Sequence, residues 1–179
     1  MLNLWPMIFA TFIQGQPVPK GRPRFTRGGF AYTPKKTKDA ETYIKKQVQR
    51  MYRGEPLKGP LTFYAYFIIR PPKKPKSEMP ISGNIADTDN YVKLLLDALN
   101  GLLFDDDKQV VQIHAVKMFG DDPGVIFGVS DFRVENLVSL TPLFDFLTLN
   151  EGQFSSSSAV QDLINEFSTA APTLKPELQ

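Results

Sequence analysis

The 179-residue sequence has no cysteine and a single histidine, His114. The absence of cysteine excludes disulfides and thiolate metal sites, and it suits a reducing cytoplasm. No apolar run approaches the roughly 18 residues of a transmembrane helix, and the first residues lack the basic head and cleavage site of a signal peptide. We therefore expect a cytoplasmic domain with no membrane partner. Because His114 lies among hydrophobic positions, we expect it to be structural rather than a metal ligand.

Charged residues are present in ordinary proportion but are unevenly distributed. Residues 1–76 hold 16 Lys/Arg and 3 Asp/Glu, residues 77–134 hold 4 and 10, and residues 135–179 hold 1 and 6. A basic half beside an acidic cluster suits an enzyme that cuts a polyanion, because one part can hold phosphates and the other a metal. It equally suits basic and acidic faces that pair with each other, so charge alone does not decide.

The apolar pattern predicts an α+β domain of order β-α-β-α-β-β, in which a mixed sheet is backed by helices. The turn-rich GDDPG link between the last two strands predicts a hairpin. We expect this domain to span residues 1–135 and residues 136–179 to form an extension with one short helix and a frayed end. The predicted strands cover residues 5–13, 59–70, 109–119 and 124–134, with a short one at 30–32, and the predicted helices cover about 37–52 and 90–100.

Each predicted helix has one apolar face. Thr33 or Thr37 can cap the first helix, and Gly101 suits the position just after the second. The predicted buried stripes are Ala40, Tyr43, Ile44, Val48 and Met51 in the first helix and Tyr91, Leu94, Leu95, Ala98, Leu99 and Leu102 in the second.

Residues 84–110 hold six of the chain's 19 carboxylates. Asp87 and Asp89 point the same way if the chain is extended there, and Lys93 follows one helical turn later. The segment after the helix can span about 23 Å, which exceeds the roughly 16 Å length of the helix. The chain can therefore double back and bring Asp107 beside Asp87 and Asp89, where three carboxylates would offer hard oxygen ligands to Mg²⁺.

A plainer interpretation of the same acidic residues stays open. Asp89 can be an ordinary N-cap, and residues 105–107 can be a solvated turn before a strand. We expect Asp97 to be an exposed helix charge.

Three segments, PVPKGRPRF, DTDNYVKLLLDALNG and FDDDKQV, occur in a characteristic order and spacing. With them the sequence resembles, over about residues 8–134, the RusA family of Holliday-junction resolvases of bacteria and their phages. The resemblance implies a homodimer that binds four-way branched DNA and nicks two opposed strands with Mg²⁺ or Mn²⁺, in the cytoplasm of a bacterium or a phage-infected cell. It implies no organic cofactor.

Carried over by position, the resemblance implies that Asp87, Asp89 and Asp107 are the catalytic carboxylates and metal ligands. Asp106 is a substitute or helper for Asp107, and Lys93 is the active-site lysine.

Basic residues in a loop broken by Gly and Pro can follow a phosphate backbone. Phe25 in this loop either wedges into an open junction or anchors the loop in the core. Lys73, Lys74 and Lys76 either extend the contact with the phosphate backbone or belong to a solvated loop. The predicted DNA-binding residues are Lys20, Arg22, Arg24 and Arg27, then Lys35, Lys36 and Lys38, then Lys73, Lys74 and Lys76.

The favoured function is a metal-dependent, structure-selective endonuclease that resolves Holliday junctions. One alternative is a non-catalytic junction-binding module that recruits a partner through the C-terminal extension, and another is a metal nuclease without junction preference. The carboxylates and Lys93 argue against the binding module, because binding alone gains nothing from carboxylates that face phosphates. We expect the apolar strands and the first helix to supply the dimer interface, and the extension to dock away from the DNA.

Overall fold

The described part of the chain is built on a four-stranded β-sheet with two helices on one face. The structure is a computed structural model that describes residues 7–132, so the predictions for residues 136–179 lie outside the described residues. Within residues 7–132, no helix is long and apolar enough to cross a membrane. In chain order the elements are β1 (Phe9–Gln14), β2 (Arg24–Phe25), β3 (Ala31–Tyr32), α1 (Lys35–Met51), β4 (Leu61–Ile69), α2 (Thr88–Leu99), a 3₁₀ turn (Asp107–Gln109), β5 (Val110–Phe119) and β6 (Gly124–Asp131).

The sheet has the strand order β1-β6-β4-β5, in which β4 and β5 are parallel and the other neighbours are antiparallel. Two parallel neighbours need a crossover connection, because the chain must return to the starting end of the sheet. Helix α2 makes that return between the end of β4 and the start of β5. The predicted α+β class, a mixed sheet backed by helices, is confirmed.

The predicted hairpin between β5 and β6 is wrong. Strand β6 pairs with β1 and β4, so that β4 lies between β5 and β6. The connecting residues pass over the end of β4, where the Gly120 N–H donates to Ile69 O at 3.0 Å and Arg70 Nη2 donates to Asp121 O at 3.4 Å. The four linking residues can span the roughly 10 Å across one intervening strand. A short link rich in turn residues is therefore compatible both with a hairpin and with a crossing over β4, and its composition does not decide between them.

The core lies between the sheet and the two helices. All nine residues of β4 are buried, as expected of an inner strand. Phe63 and Phe127 stack with ring centroids 5.9 Å apart, and Phe67 lies 5.4 Å from Tyr91 of α2. The predicted stripe of α2 is confirmed, with Leu102 partly buried at its end and Gly101 at a positive φ of 70°. Its fully buried members are Tyr91, Leu94, Leu95, Ala98 and Leu99.

The predicted stripe of α1 is correct only in its middle. Ile44 and Val48 are buried, whereas Tyr43 and Met51 are 47% and 45% exposed. The Tyr43 hydroxyl donates to Gln14 O at 3.2 Å, so this side chain lies along the rim of the sheet rather than under it. The 3.6-residue period identified the buried face of α1 but overestimated its width.

His114 lies on the sheet face opposite the helices. Its ring stacks on Tyr64 with centroids 5.0 Å apart, and its Nε2 lies 2.9 Å from Gln112 Nε2. Burial lowers the pKa of His114, which favours the neutral ring. These contacts agree with the structural role expected for it.

We predict that Gly124→Ala destabilises the protein by about 1–3 kcal/mol, the usual cost of overpacking. An added Cβ would collide with the Phe12 ring and lie 2.8 Å from the Ile13 carbonyl oxygen, which is backbone and cannot move aside easily. Urea denaturation measures the change. Gly28→Ala is the control, because a Cβ there meets nothing closer than 3.5 Å; equal stability of the two variants would contradict the close approach at Gly124.

Candidate active site

Asp87 and Asp89, here called the carboxylate pair, stand at the start of α2. Asp87 occupies the N-cap position with extended backbone, φ −67° and ψ 151°, but its side chain makes no capping hydrogen bond. Both side chains are exposed. An aspartate at an N-cap ordinarily accepts from a backbone N–H of the first turn, so the Asp87 carboxylate remains available for another ligand.

Lys93 lies one helical turn after Asp89 and is exposed on α2. Residues four apart lie on the same side of a helix, so Lys93 and Asp89 face the same region of solvent. Three of the predicted catalytic residues therefore lie in or just before the N-terminal half of α2.

The basic loop, residues 20–27, is fastened beside the carboxylate pair. The Lys20 N–H donates to Asn90 O at 2.8 Å, and Lys20 Nζ lies 2.5 Å from both Glu41 Oε1 and Asp97 Oδ2. Burial lowers the pKa of Lys20, but its hydrogen bonds with Asp97 and Glu41 outweigh that effect and raise the pKa overall. Lys20 thus joins α1 to α2, and Asp97 is its partner rather than the free exposed charge we expected.

Gly21 continues this attachment to the first turn of α1. Its N–H donates to Thr37 Oγ1 at 3.2 Å, and a Cβ at Gly21 would lie 2.9 Å from the same oxygen. Thr37 is buried and does not cap α1, whose N-cap residue is Pro34. The glycine in this loop is therefore explained by close approach to α1.

Beyond Gly21 the chain leaves the core as the short β2–β3 hairpin. Phe25 is 71% exposed, which excludes its use as a core anchor and leaves it free to contact a ligand. The nine predicted DNA-binding residues other than Lys20 are all exposed: Arg22, Arg24 and Arg27 on or beside the hairpin, Lys35, Lys36 and Lys38 in the first turn of α1, and Lys73, Lys74 and Lys76 in the loop before α2.

Asp105–Asp107, here called the aspartate turn, precedes β5 and is held by its own hydrogen bonds. The Asp106 carboxylate accepts from the Lys108 N–H at 3.0 Å and lies 3.0 Å from Lys108 Nζ. These bonds to Lys108 lower the pKa of Asp106. Ionised Asp106 therefore stabilises the folded protein at pH values above the ordinary carboxyl pKa, and this stabilisation is lost as the pH falls through the lowered pKa. Asp105 pairs with Lys58, so Asp107 is the carboxylate of this turn that neither ion pair uses.

Gln109 anchors the aspartate turn to the sheet. Its Nε2 donates to Leu57 O at 2.9 Å and to Gly59 O at 3.1 Å, while its Oε1 accepts from the Asp106 N–H at 3.1 Å. The turn is thereby fixed at the end of the sheet where β4 and β5 begin.

The two acidic groups lie at opposite ends of α2. Lys117, near the end of β5, donates from Nζ to Ala86 O at 2.8 Å, which places the carboxylate pair at that end. Gln109 fixes the aspartate turn at the start of β5, and α2, with 12 residues, is about 18 Å long. A single chain therefore does not bring Asp107 beside Asp87 as we expected. Within residues 7–132, no group of three His, Cys, Asp or Glu side chains is arranged to hold a metal ion.

Two residues that organise these ends escaped the sequence reasoning. Lys117 was hidden within a strand, although its position among core-facing apolar residues was a signal. Gln109 stands in the segment FDDDKQV, two residues after Asp107, where the sequence assigned it no role.

Comparison with known proteins agrees with this arrangement of segments. A family model described as endodeoxyribonuclease RusA matches residues 14–129, which include the basic loop, the carboxylate pair and the aspartate turn. The chain is also 34% identical over 127 residues to the uncharacterized protein YqaN of Bacillus subtilis (strain 168), a match that covers 63% of this chain and 89% of that protein.

We predict that Gln109→Leu destabilises the protein by about 1–3 kcal/mol, because Leu57 O and Gly59 O lose their donor. Urea denaturation measures the loss. Gln49→Leu on the exposed side of α1 is the matched control and should change stability little. If both variants were as stable as the wild type, Gln109 would not be the anchor of the aspartate turn.

Proposed function

The chain belongs to the RusA endodeoxyribonuclease family, and from that premise we propose that it resolves four-way DNA junctions by paired nicks in opposed strands. The observation that carries this proposal is the attachment of the basic loop to the first turn of α2, through Lys20 N–H and Asn90 O. It puts a segment suited to a phosphate backbone beside two exposed carboxylates, of which Asp87 makes no capping hydrogen bond.

The carboxylate pair offers oxygen ligands, which are the kind that Mg²⁺ and Mn²⁺ prefer. Mg²⁺ is commonly held by one or two carboxylates together with waters and substrate phosphates. Asp87 and Asp89 would hold the ion, and when bound it would polarise the scissile phosphate and activate a water. Lys93 would place a positive charge near the phosphate oxygens, where negative charge grows as the bond breaks.

Asp107 joins this site only if a second copy of the chain supplies it. Each nick of a symmetric junction needs its own catalytic site, and a two-fold dimer provides two identical sites. The proposed interface is β5, a strand of ten residues at one edge of the sheet that residues 7–132 form. Its Val111 and Ile113 are 54% and 44% exposed, and a long apolar edge strand is a natural surface for pairing with another chain.

Two-fold symmetry makes such a pair of strands antiparallel, so the start of one β5 meets the end of the other. A pairing centred on Ile113 would set Gln109 opposite the partner subunit's Lys117. The aspartate turn of one protomer would then lie near the carboxylate pair of the other. Two sites, each built from both chains, account for the distance between Asp107 and Asp87 in a single chain.

The alternative of a non-catalytic junction-binding module is not favoured. The Asp106 and Asp105 side chains have structural partners, but Asp87 makes no cap and is exposed. A module that only binds DNA gains nothing from such a carboxylate beside its basic loop, because it repels phosphates.

The direct test incubates the purified protein with a labelled four-way junction or a linear duplex of matched sequence, in Mg²⁺ or EDTA. We expect paired nicks in the junction in Mg²⁺ alone, and Asp87→Asn should bind the junction without cutting it. Junction binding by the wild type with no cleavage in any divalent ion would favour the binding module. Equal cutting of the linear duplex would favour a nuclease without junction preference.

We predict that Asp107→Asn abolishes junction cleavage whereas Asp106→Asn keeps most of it. Asparagine can still cap the 3₁₀ turn at position 106, so that variant loses mainly the contact with Lys108. Asp107 makes neither ion pair of the turn, so its replacement removes a carboxylate and its side-chain hydrogen bond with Asp106 but leaves both ion pairs in place. Initial cleavage rates on the same junction measure both variants, and the reverse order of activities would assign the third carboxylate to Asp106.

We predict that the double variant Arg22→Gln/Arg24→Gln binds the junction more weakly and with a flatter dependence on salt. Each lost phosphate contact reduces the slope of log affinity against log salt by about one. Binding titrations at several salt concentrations measure the slope. Arg50→Gln/Arg53→Gln removes the same charge from the last turn of α1 and the segment just after it, and serves as the control. Identical slopes for the two double variants would place the basic loop away from DNA.

A further inference from the structure

Lys117 occupies a position where an apolar residue is expected. The β4–β5 register pairs Phe63, Ala65 and Phe67 of the core face with Ile113, Ala115 and Lys117. Lys117 is therefore on the helix side of the sheet, and its side chain is partly buried. Lysine seldom sits on the core side of a strand unless its ammonium has a partner, because burying the charge is unfavourable.

The partner of Lys117 is the peptide that leads into the carboxylate pair. Its Nζ donates to Ala86 O at 2.8 Å, and Ala86 immediately precedes Asp87. A hydrogen bond from a charged donor is stronger than a neutral one. It is made to the backbone, so it restrains the chain direction at the start of α2 rather than the charge of one carboxylate.

We propose that Lys117 is a positioning residue for divalent-metal binding by Asp87 and Asp89. The chain reaches α2 from the 18-residue connection 70–87, which contains no helix or strand. Asp87 makes no capping hydrogen bond there, but Ile85 and Ala86 pack against the core, and the Tyr91 hydroxyl is hydrogen-bonded to the Ala86 backbone. The bond from Lys117 to Ala86 O adds a charged donor that ties this approach to β5, and so it helps to fix the positions of Asp87 and Asp89.

This inference rests on the proposed function, because the divalent cation is the ligand of the proposed catalytic site. The restraint that Lys117 places on the chain before α2 can be measured without any cleavage assay. In the proposed pairing of β5 strands, Lys117 also faces the partner subunit's Gln109. In that dimer the aspartate turn of the partner subunit lies close to the carboxylate pair. Loss of the Lys117 ammonium would therefore disturb the site where the two chains meet.

The test compares Lys117→Met, which keeps an unbranched apolar stem but has no donor, with Lys117→Arg, which keeps a charged donor. Lys45→Met removes an exposed lysine of α1 and is the control. Mn²⁺ binding is measured by calorimetry on the 179-residue chain, and hydrogen exchange is followed in the peptide covering residues 84–92. Thermal melting shows which variants fold, and Lys117→Gln replaces Lys117→Met if the latter does not.

We expect Lys117→Met to bind Mn²⁺ ten- to a hundredfold more weakly, the range usual for residues that orient metal ligands. Exchange should become faster in residues 84–92 and stay unchanged in β4. Lys117→Arg should recover part of the Mn²⁺ affinity, and Lys45→Met should match the wild type. Unchanged Mn²⁺ affinity and unchanged exchange in Lys117→Met would overturn the proposal, as would a uniform rise in exchange across the whole protein.

The two proposals can fail separately. If the wild type neither bound Mn²⁺ nor cut a junction, the proposed function would fail. A local rise in exchange at residues 84–92 in Lys117→Met would then still support the positioning of the chain by Lys117, and its absence would overturn that as well.

Discussion

The parallel pairing of β4 and β5 is the constraint on which the candidate site depends. A parallel pair forces the chain to return along the sheet, and α2 is that return. Residues before α2 therefore lie at one end of the sheet and residues after it at the other. The carboxylate pair precedes α2 and the aspartate turn follows it, so the topology separates them by about the length of the helix.

Each end of the sheet is held by its own side-chain hydrogen bonds to the backbone. Gln109 ties the aspartate turn to the chain before β4, and the Lys117 side chain ties the start of α2 to β5. The backbone N–H of Lys20 then joins the basic loop to the first turn of α2. The Asp87 carboxylate takes no part in these bonds and makes no capping hydrogen bond. A protein that keeps an aspartate at a helix start without using it as a cap gives up local stability there, as functional sites often do.

The sequence was sufficient for the α+β class, for the position of α2 to within two residues and for the family, because each depends on local period or on motifs. It was not sufficient for the pairing of β6, since the same short link can form a hairpin or pass over β4. It also misplaced Asp107: chain length permits a return to Asp87, but the anchoring of Gln109 fixes it elsewhere. Contacts between distant segments, such as Lys20 with Asp97, have no local signature.

The central claim is that each catalytic site takes its carboxylate pair from one chain and Asp107 from the other. Mixing Asp87→Asn protomers with Asp107→Asn protomers under subunit exchange tests it most directly, with junction cleavage compared before and after mixing. Neither variant alone should cut. Mixed dimers should recover single nicks, because one of their two sites receives an intact Asp87 from one chain and an intact Asp107 from the other. If the dimers exchange subunits and the mixture still fails to cut, each site lies within one chain and the account is contradicted.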